Sequence, residues 1–82
     1  MRTNRYGVKV MPREVILDTQ GRAVEQTLAL QHLNARCRVG KYVELEIEGD
    51  EKEARAQAEH IAKTVLCNPL IEKYQIEQQS PS

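Results

Sequence analysis

The stretch Ala35-Arg36-Cys37-Arg38-Val39-Gly40-Lys41-Tyr42-Val43-Glu44-Leu45-Glu46-Ile47 alternates between apolar and charged residues on both sides of Gly40. A period of two is strand periodicity, so the stretch predicts two strands joined at Gly40-Lys41. A two-residue loop would pair Val39 with Tyr42 and set Cys37 opposite Glu44, mixing apolar and charged faces. An odd-numbered connection, Gly40-Lys41-Tyr42, pairs Val39 with Val43 and Cys37 with Leu45 on the core side instead. It also sets Arg38 opposite Glu44 and Arg36 opposite Glu46, opposite-charge pairs worth roughly 0.2–1 kcal/mol each. The odd register is the expected one.

Towards the N-terminus, Arg5 to Pro12 alternates Tyr6, Val8 and Val10 with Gly7, Lys9 and Met11, which predicts a first strand. Pro12 cannot donate to a ladder and closes it. The apolar patch Val15-Ile16-Leu17 follows, and Asp18 is a good N-cap for a helix from about Thr19 to Leu33. Its apolar residues Ala23, Val24, Leu28, Leu30 and Leu33 cover a broad arc, and Leu30 and Leu33 are candidates for an interface. Gly21 opposes helix propensity in the first turn, and reads either as close packing on its backbone or as a tolerated helix start.

Towards the C-terminus, Asp50 with Glu53 three residues on has the spacing of a capping box. Ala54, Ala58, Ile61, Ala62 and Val65 then form one narrow helical stripe, and Asn68-Pro69 stops the helix. The last strand is expected from Leu70 to Ile76. Residues 1–77 are read as a single domain, and 78–82 as a polar tail expected to be disordered. The element order predicts an α+β, ferredoxin-like β-α-β-β-α-β fold: a four-stranded antiparallel sheet with two helices on one face. Tyr6, Tyr42, Tyr74, Arg36, Arg38, Glu44 and Glu46 are candidates for the other face, either solvated or used for docking.

With 82 residues the chain buries only about 60% of its unfolded surface, so a homodimer or higher homo-oligomer, or a stable partner, is expected. Lys plus Arg and Asp plus Glu number 12 each, which leaves no net field to attract nucleic acid or an anionic membrane. Lacking an apolar run of spanning length or a secretory h-region, the chain is expected to be cytoplasmic. Cys37 and Cys67 lack neighbours at ligand spacing and read as reduced thiols.

Catalytic, cofactor-binding and metal-ligating residues are not expected. Gly7, Gly21, Gly40 and Gly49 are scattered and make no phosphate loop, His32 and His60 lack ligand partners, and Glu44, Glu46 and Glu48 read as the polar face of a strand. From the residues alone the chain is an interaction domain. A small-ligand-sensing regulatory domain of ferredoxin-like fold is the alternative. A small enzyme such as an acylphosphatase is a third reading, and that family's glycine-rich phosphate loop is missing.

Four stretches together resemble the PurS family over most of residues 6 to 77: Val8-Lys9-Val10; Val15-Ile16-Leu17-Asp18-Thr19-Gln20-Gly21-Arg22-Ala23-Val24; Arg38-Val39-Gly40-Lys41-Tyr42-Val43-Glu44-Leu45; and Leu66-Cys67-Asn68-Pro69-Leu70-Ile71-Glu72-Lys73-Tyr74-Gln75-Ile76-Glu77. Thr19 stands where the family commonly has Pro, and the connection His32-Leu33-Asn34-Ala35 is shorter than usual. The resemblance implies a non-catalytic small subunit of phosphoribosylformylglycinamidine synthase, in de novo purine biosynthesis. It would bridge a glutaminase subunit, which releases ammonia, to a large synthetase subunit, which holds the complex's ATP and Mg. Arg38, Gly40, Lys41, Tyr42 and Asn68, Pro69, Leu70, Ile71, Glu72 are the expected docking residues.

Overall fold

The computed structural model describes residues 3–79. Strand β1 (Thr3–Pro12) is followed by helix α1 (Thr19–Leu30), strand β2 (Lys41–Glu48), helix α2 (Glu51–Ile61) and strand β3 (Glu72–Gln78), and a π-helical turn, Ala62–Leu66, continues α2. All pairing is antiparallel and the sheet order is β2-β1-β3. Tyr6 faces Leu45 and Val8 faces Val43 on one side of β1, and Val8 faces Ile76 on the other.

The core follows from two periodicities. Tyr6, Val8 and Val10 point to one face of the central strand and are fully buried, and the alanine stripe Ala54, Ala58 and Ala62 lies against them. Methyl side chains let the helix backbone approach the sheet closely, and the tyrosine fills the space they leave. Val65 was expected on that stripe and is exposed instead. In the π turn the Cys67 N–H bonds to the Ala62 carbonyl at 3.0 Å, which shifts the helical phase, so that Leu66 and Cys67 turn inward. Asn4 is also fully buried, its amide donating to the carbonyls of Ile47 and Gly49 at 3.2 and 3.0 Å.

Both helix starts form as the sequence predicts: Asp18 accepts from the Gly21 N–H and Asp50 from the Glu53 N–H. Helix α1 ends three residues before the expected Leu33. His32 adopts φ +61°, its N–H bonds to the Ala29 carbonyl, and the Leu33 N–H bonds to the Leu28 carbonyl at 2.9 Å. These are the two bonds of a Schellman motif, with histidine at the left-handed position that glycine usually takes. Strand β3 starts at Glu72, not Leu70, and continues through Gln78, a residue assigned to the polar tail; the Gln79 N–H then donates to Arg5. Ser80 to Ser82 lie outside the described residues.

The expected hairpin does not form within the chain, and the sheet has three strands among the described residues where four are predicted. Residues 33–40 run without turn or bend straight into β2. Positive φ occurs only at His32 and Gly49 among the described residues, so Gly40 makes no primed hairpin turn. Helix α1 does not cover the sheet either: Gly21 is its buried residue, while Leu30 is 83% exposed. The radius of gyration is accordingly 16.2 Å, against roughly 12 Å for a compact chain of this length. The long dimension of 51 Å is about that of sixteen extended residues, the span 33–48.

The polar sheet face also differs from expectation. Tyr6 and Tyr74 pack on the helix side, and Arg36 and Arg38 are not in the sheet. Tyr42, Glu44 and Glu46 do lie on the polar face, where Arg5 pairs with Glu46 at 3.5 Å.

Candidate docking site at one end of the sheet

The end of β1 gathers the two candidate docking segments. Beyond Pro12 the chain turns out of the sheet, and Arg13 holds the later segment: its N–H donates to the Ile71 carbonyl at 2.8 Å and its Nε to the Pro69 carbonyl at 3.0 Å. Arg38 holds the earlier one, its Nη2 donating to the carbonyls of Arg13 and Pro12 at 2.8 and 3.1 Å. Arg13 thus contacts both segments. A lone arginine after a strand-ending proline carries no pattern in the sequence, which is why it was missed.

Asp18 is the second organiser. One carboxylate oxygen accepts the Gly21 N–H at 2.8 Å, capping α1, and the other accepts the Val39 N–H at 2.7 Å, with Arg38 Nε 3.8 Å away. These backbone donors, Gly21 first and then Val39, hold the Asp18 carboxyl below its ordinary range, and Arg38 adds to the effect. Glu25, one of the polar positions of α1, accepts the Cys37 N–H at 2.8 Å. The extended segment is therefore fastened to α1 by two carboxylates on alternate residues. Spacing along the sequence gives no hint of either bond.

Close contacts explain two glycines. A Cβ on Gly21 would fall against the Cys37 carbonyl oxygen and 2.6 Å from Asp18 Oδ2, and one on Gly40 would fall against the Val10 carbonyl oxygen. Gly40 is thus required by backbone contact with β1, and not by a turn.

The segment after the π turn closes on itself. Asn68 Oδ1 accepts from the Leu70 N–H at 3.1 Å, the Asn68 carbonyl accepts from the Glu72 N–H at 2.7 Å, and the Asn68 N–H donates to the Glu72 carboxylate at 2.8 Å. With these groups bonded within the loop and the Pro69 and Ile71 carbonyls held by Arg13, the loop presents Leu70, 84% exposed, and Ile71 outward. Between the segments lies an open cleft of about 360 Å³ whose walls include Leu17, Asp18, Gly40, Lys41 and Glu72. Tyr42 does not join it. Its ring lies over Gly7 on the opposite sheet face, and its hydroxyl accepts from Gln79 Nε2 at 3.0 Å.

Cys67 is buried beneath this end of the sheet, and that burial, with Glu72 nearby, pushes its thiol pKa up. Among the described residues His, Cys, Asp and Glu form no group of three able to hold a metal, and no helix is long and apolar enough to cross a membrane. The site consists of backbone polar groups tied down by charged side chains, an apolar loop tip and a charged cleft. Such a surface can recognise another protein by shape and charge.

The fold and site define a small α+β module in which a three-stranded antiparallel sheet, backed by one helix, carries a candidate docking end. Residues 5–80 match the family PurS, phosphoribosylformylglycinamidine (FGAM) synthase. The chain is 36% identical over 76 residues to the phosphoribosylformylglycinamidine synthase subunit PurS of Bacillus subtilis, covering 88% of this chain and 90% of that protein. The chain belongs to the PurS family. A solved structure of Bacillus subtilis PurS superposes with a TM-score of 0.82 at 30% identity, over 94% of this chain and 99% of that one. The PurLQS structure of Thermotoga maritima shares the fold, with a TM-score of 0.87 at 23% identity over 96% of this chain and all of the matched one.

Proposed function

We propose that this chain is the bridging, non-catalytic subunit of a phosphoribosylformylglycinamidine synthase complex. It holds a glutaminase subunit and an ATP-dependent synthetase subunit in fixed relation and so supports ammonia transfer during purine biosynthesis in the cytoplasm. The observation that carries this reading is the near full-length match to the Bacillus subtilis subunit. The PurLQS assembly containing a chain of this fold supports it. ATP and Mg belong to the synthetase subunit, and this chain contributes contacts.

The physical demand is positional. Ammonia released by one active site is lost to water unless the second site is held in register with it, and rigid contacts provide that. Arg38, Gly40 and Lys41 with Asn68, Pro69, Leu70, Ile71 and Glu72 form the docking end, with the exposed Leu70 and Ile71 as its apolar anchor. Tyr42 serves a second contact on the polar sheet face.

The test mixes this chain with the matching synthetase and glutaminase and compares turnover on glutamine with turnover on free ammonia. Omitting the chain is expected to abolish the glutamine-dependent rate and spare the ammonia-dependent one. Unchanged glutamine turnover without it refutes the proposal. Leu70→Asp is expected to weaken complex formation at least tenfold, and undiminished assembly removes the loop from the docking surface.

A further inference from the structure

We propose, resting on the bridging reading above, that the docking end receives the glutaminase subunit, with its cations seated against an acidic surface of that subunit and its apolar loop tips at the centre of the contact.

A net charge of zero hides a separation of charge along the sheet. Because all pairing is antiparallel, the end of β1 meets the starts of β2 and β3 at the docking end, and the start of β1 meets their ends at the other. Helix α2 also starts at that far end, where Asn4 bonds to Gly49 and Gln78 to Glu51. The register divides the sheet between Val8, which faces Val43 and Ile76, and Gly7, which faces Glu44 and Glu77. On the docking side, residues 8–18, 38–43 and 68–76 hold five lysines and arginines against three carboxylates, a balance of +2. On the far side, residues 3–7, 44–55 and 77–79 hold three against seven, a balance of −4. The ten residues of β1 set its two ends about 30 Å apart, several times the Debye length of about 8 Å in physiological salt. A partner seated at the docking end is therefore screened from the far carboxylates and meets the cations.

That positive balance is open to a partner. Asp18 and Glu72 commit their carboxylates to the N–H groups of Gly21, Val39 and Asn68, and Glu14 pairs with Lys73 at 3.5 Å. Arg13 and Arg38 rest on the carbonyls of Pro69, Pro12 and Arg13, which fix the guanidinium groups without neutralising them. Lys9 and Lys41 are exposed and stand in no ion pair among the described residues. Apolar surface lies beside them. Val15 and Leu17, exposed like Leu70 and Ile71, extend the apolar anchor: Val15 shares an open cleft with Arg13 and Lys73, and Leu17 shares one with Lys41. An apolar centre with a charged rim is the anatomy of a protein interface.

Charge decides between the two enzyme subunits. The synthetase takes ATP and a phosphoribosyl substrate, both polyanions, and a site for polyanions is surrounded by positive potential. A cationic end set against it meets like charge, which interfaces avoid. Glutamine carries no net charge, so a glutaminase is under no such demand and can present carboxylates. The docking end is complementary to that subunit.

The test uses the three-subunit complex and a carbodiimide, which joins lysine amines directly to carboxylates with loss of water. Mass spectrometry of the digested complex is expected to find Lys9, Lys41 or Lys73 linked to Asp or Glu of the glutaminase. Links from these lysines to the synthetase instead, or no links in a complex that assembles, overturn the proposal. Lys9→Glu with Lys41→Glu is expected to weaken retention of the glutaminase about tenfold at low salt, with the loss shrinking at about 0.5 M salt. Glu48→Lys with Glu53→Lys makes a charge change of the same size at the far end and is expected to leave retention unchanged. Equal losses from both variants, or a loss indifferent to salt, overturn the proposal. The links are read on the native chain, so they decide the matter even where a variant loses its native circular dichroism. Glutamine turnover that persists without this chain refutes the bridging reading and the docking together. Turnover that requires the chain, with lysine links only to the synthetase, refutes the docking alone.

Discussion

Gly21→Ala sets two physical effects against each other. In an exposed helix, replacing glycine by alanine stabilises by about 1 kcal/mol, because alanine loses less backbone entropy. Here the added methyl would lie 2.6 Å from Asp18 Oδ2 and closer still to the Cys37 carbonyl oxygen. The carbonyl belongs to backbone fixed on either side by Glu25 and Asp18, and the carboxylate is itself the helix cap. Neither can yield as a flexible side chain would. Overpacking of this kind costs about 1–3 kcal/mol, so the expected net effect is a loss of about 1 kcal/mol. For a domain of this size the melting temperature should fall by about 4–8 °C. The assay is thermal unfolding by far-UV circular dichroism at matched protein concentration, with Gln26→Ala, an exposed position of α1, as the propensity control. Hydrogen exchange adds a local readout: the Cys37 and Val39 amides should lose protection in the variant. If Gly21→Ala instead raises stability by the full propensity gain, the close contact is not what keeps glycine there.

His32→Gly relieves a non-glycine residue at φ +61° and is expected to stabilise by about 0.5–1 kcal/mol, read as a higher urea midpoint at unchanged slope. Asn4→Ala strands the carbonyls of Ile47 and Gly49 and should cost about 1–3 kcal/mol, and Asn4→Asp should cost more because a carboxylate would face those same two oxygens. The depressed pKa of Asp18 means that its contribution to stability is complete above the ordinary aspartate value of about 4 and is lost as pH falls through the lower folded value. Acid titration of stability should therefore be shallower in Asp18→Asn than in the parent, and identical slopes would show that the carboxylate does not couple α1 to residue 39.

What the sequence made legible was local in physical origin. The N-caps at Asp18 and Asp50 and the alanine stripe of α2 depend on groups within a turn or two of one another, and each stands where its spacing places it. The stripe fails only at Val65, where one π turn, which no residue type announces, shifts the phase. The two candidate docking segments meet at one end of the sheet, and the bonds of Arg13 and Glu25 that hold them there reach across folds of the chain and carry no sequence pattern. The hairpin is the instructive case. Alternation from Ala35 to Ile47 reports extended backbone on both sides of Gly40, and the Arg36 and Glu46 charges would suit a paired register. Neither reports whether the two halves pair, and within the chain they do not. Reading Gly40 as a turn supplied that missing assumption, whereas its backbone contact with Val10 needs glycine equally and keeps the chain straight.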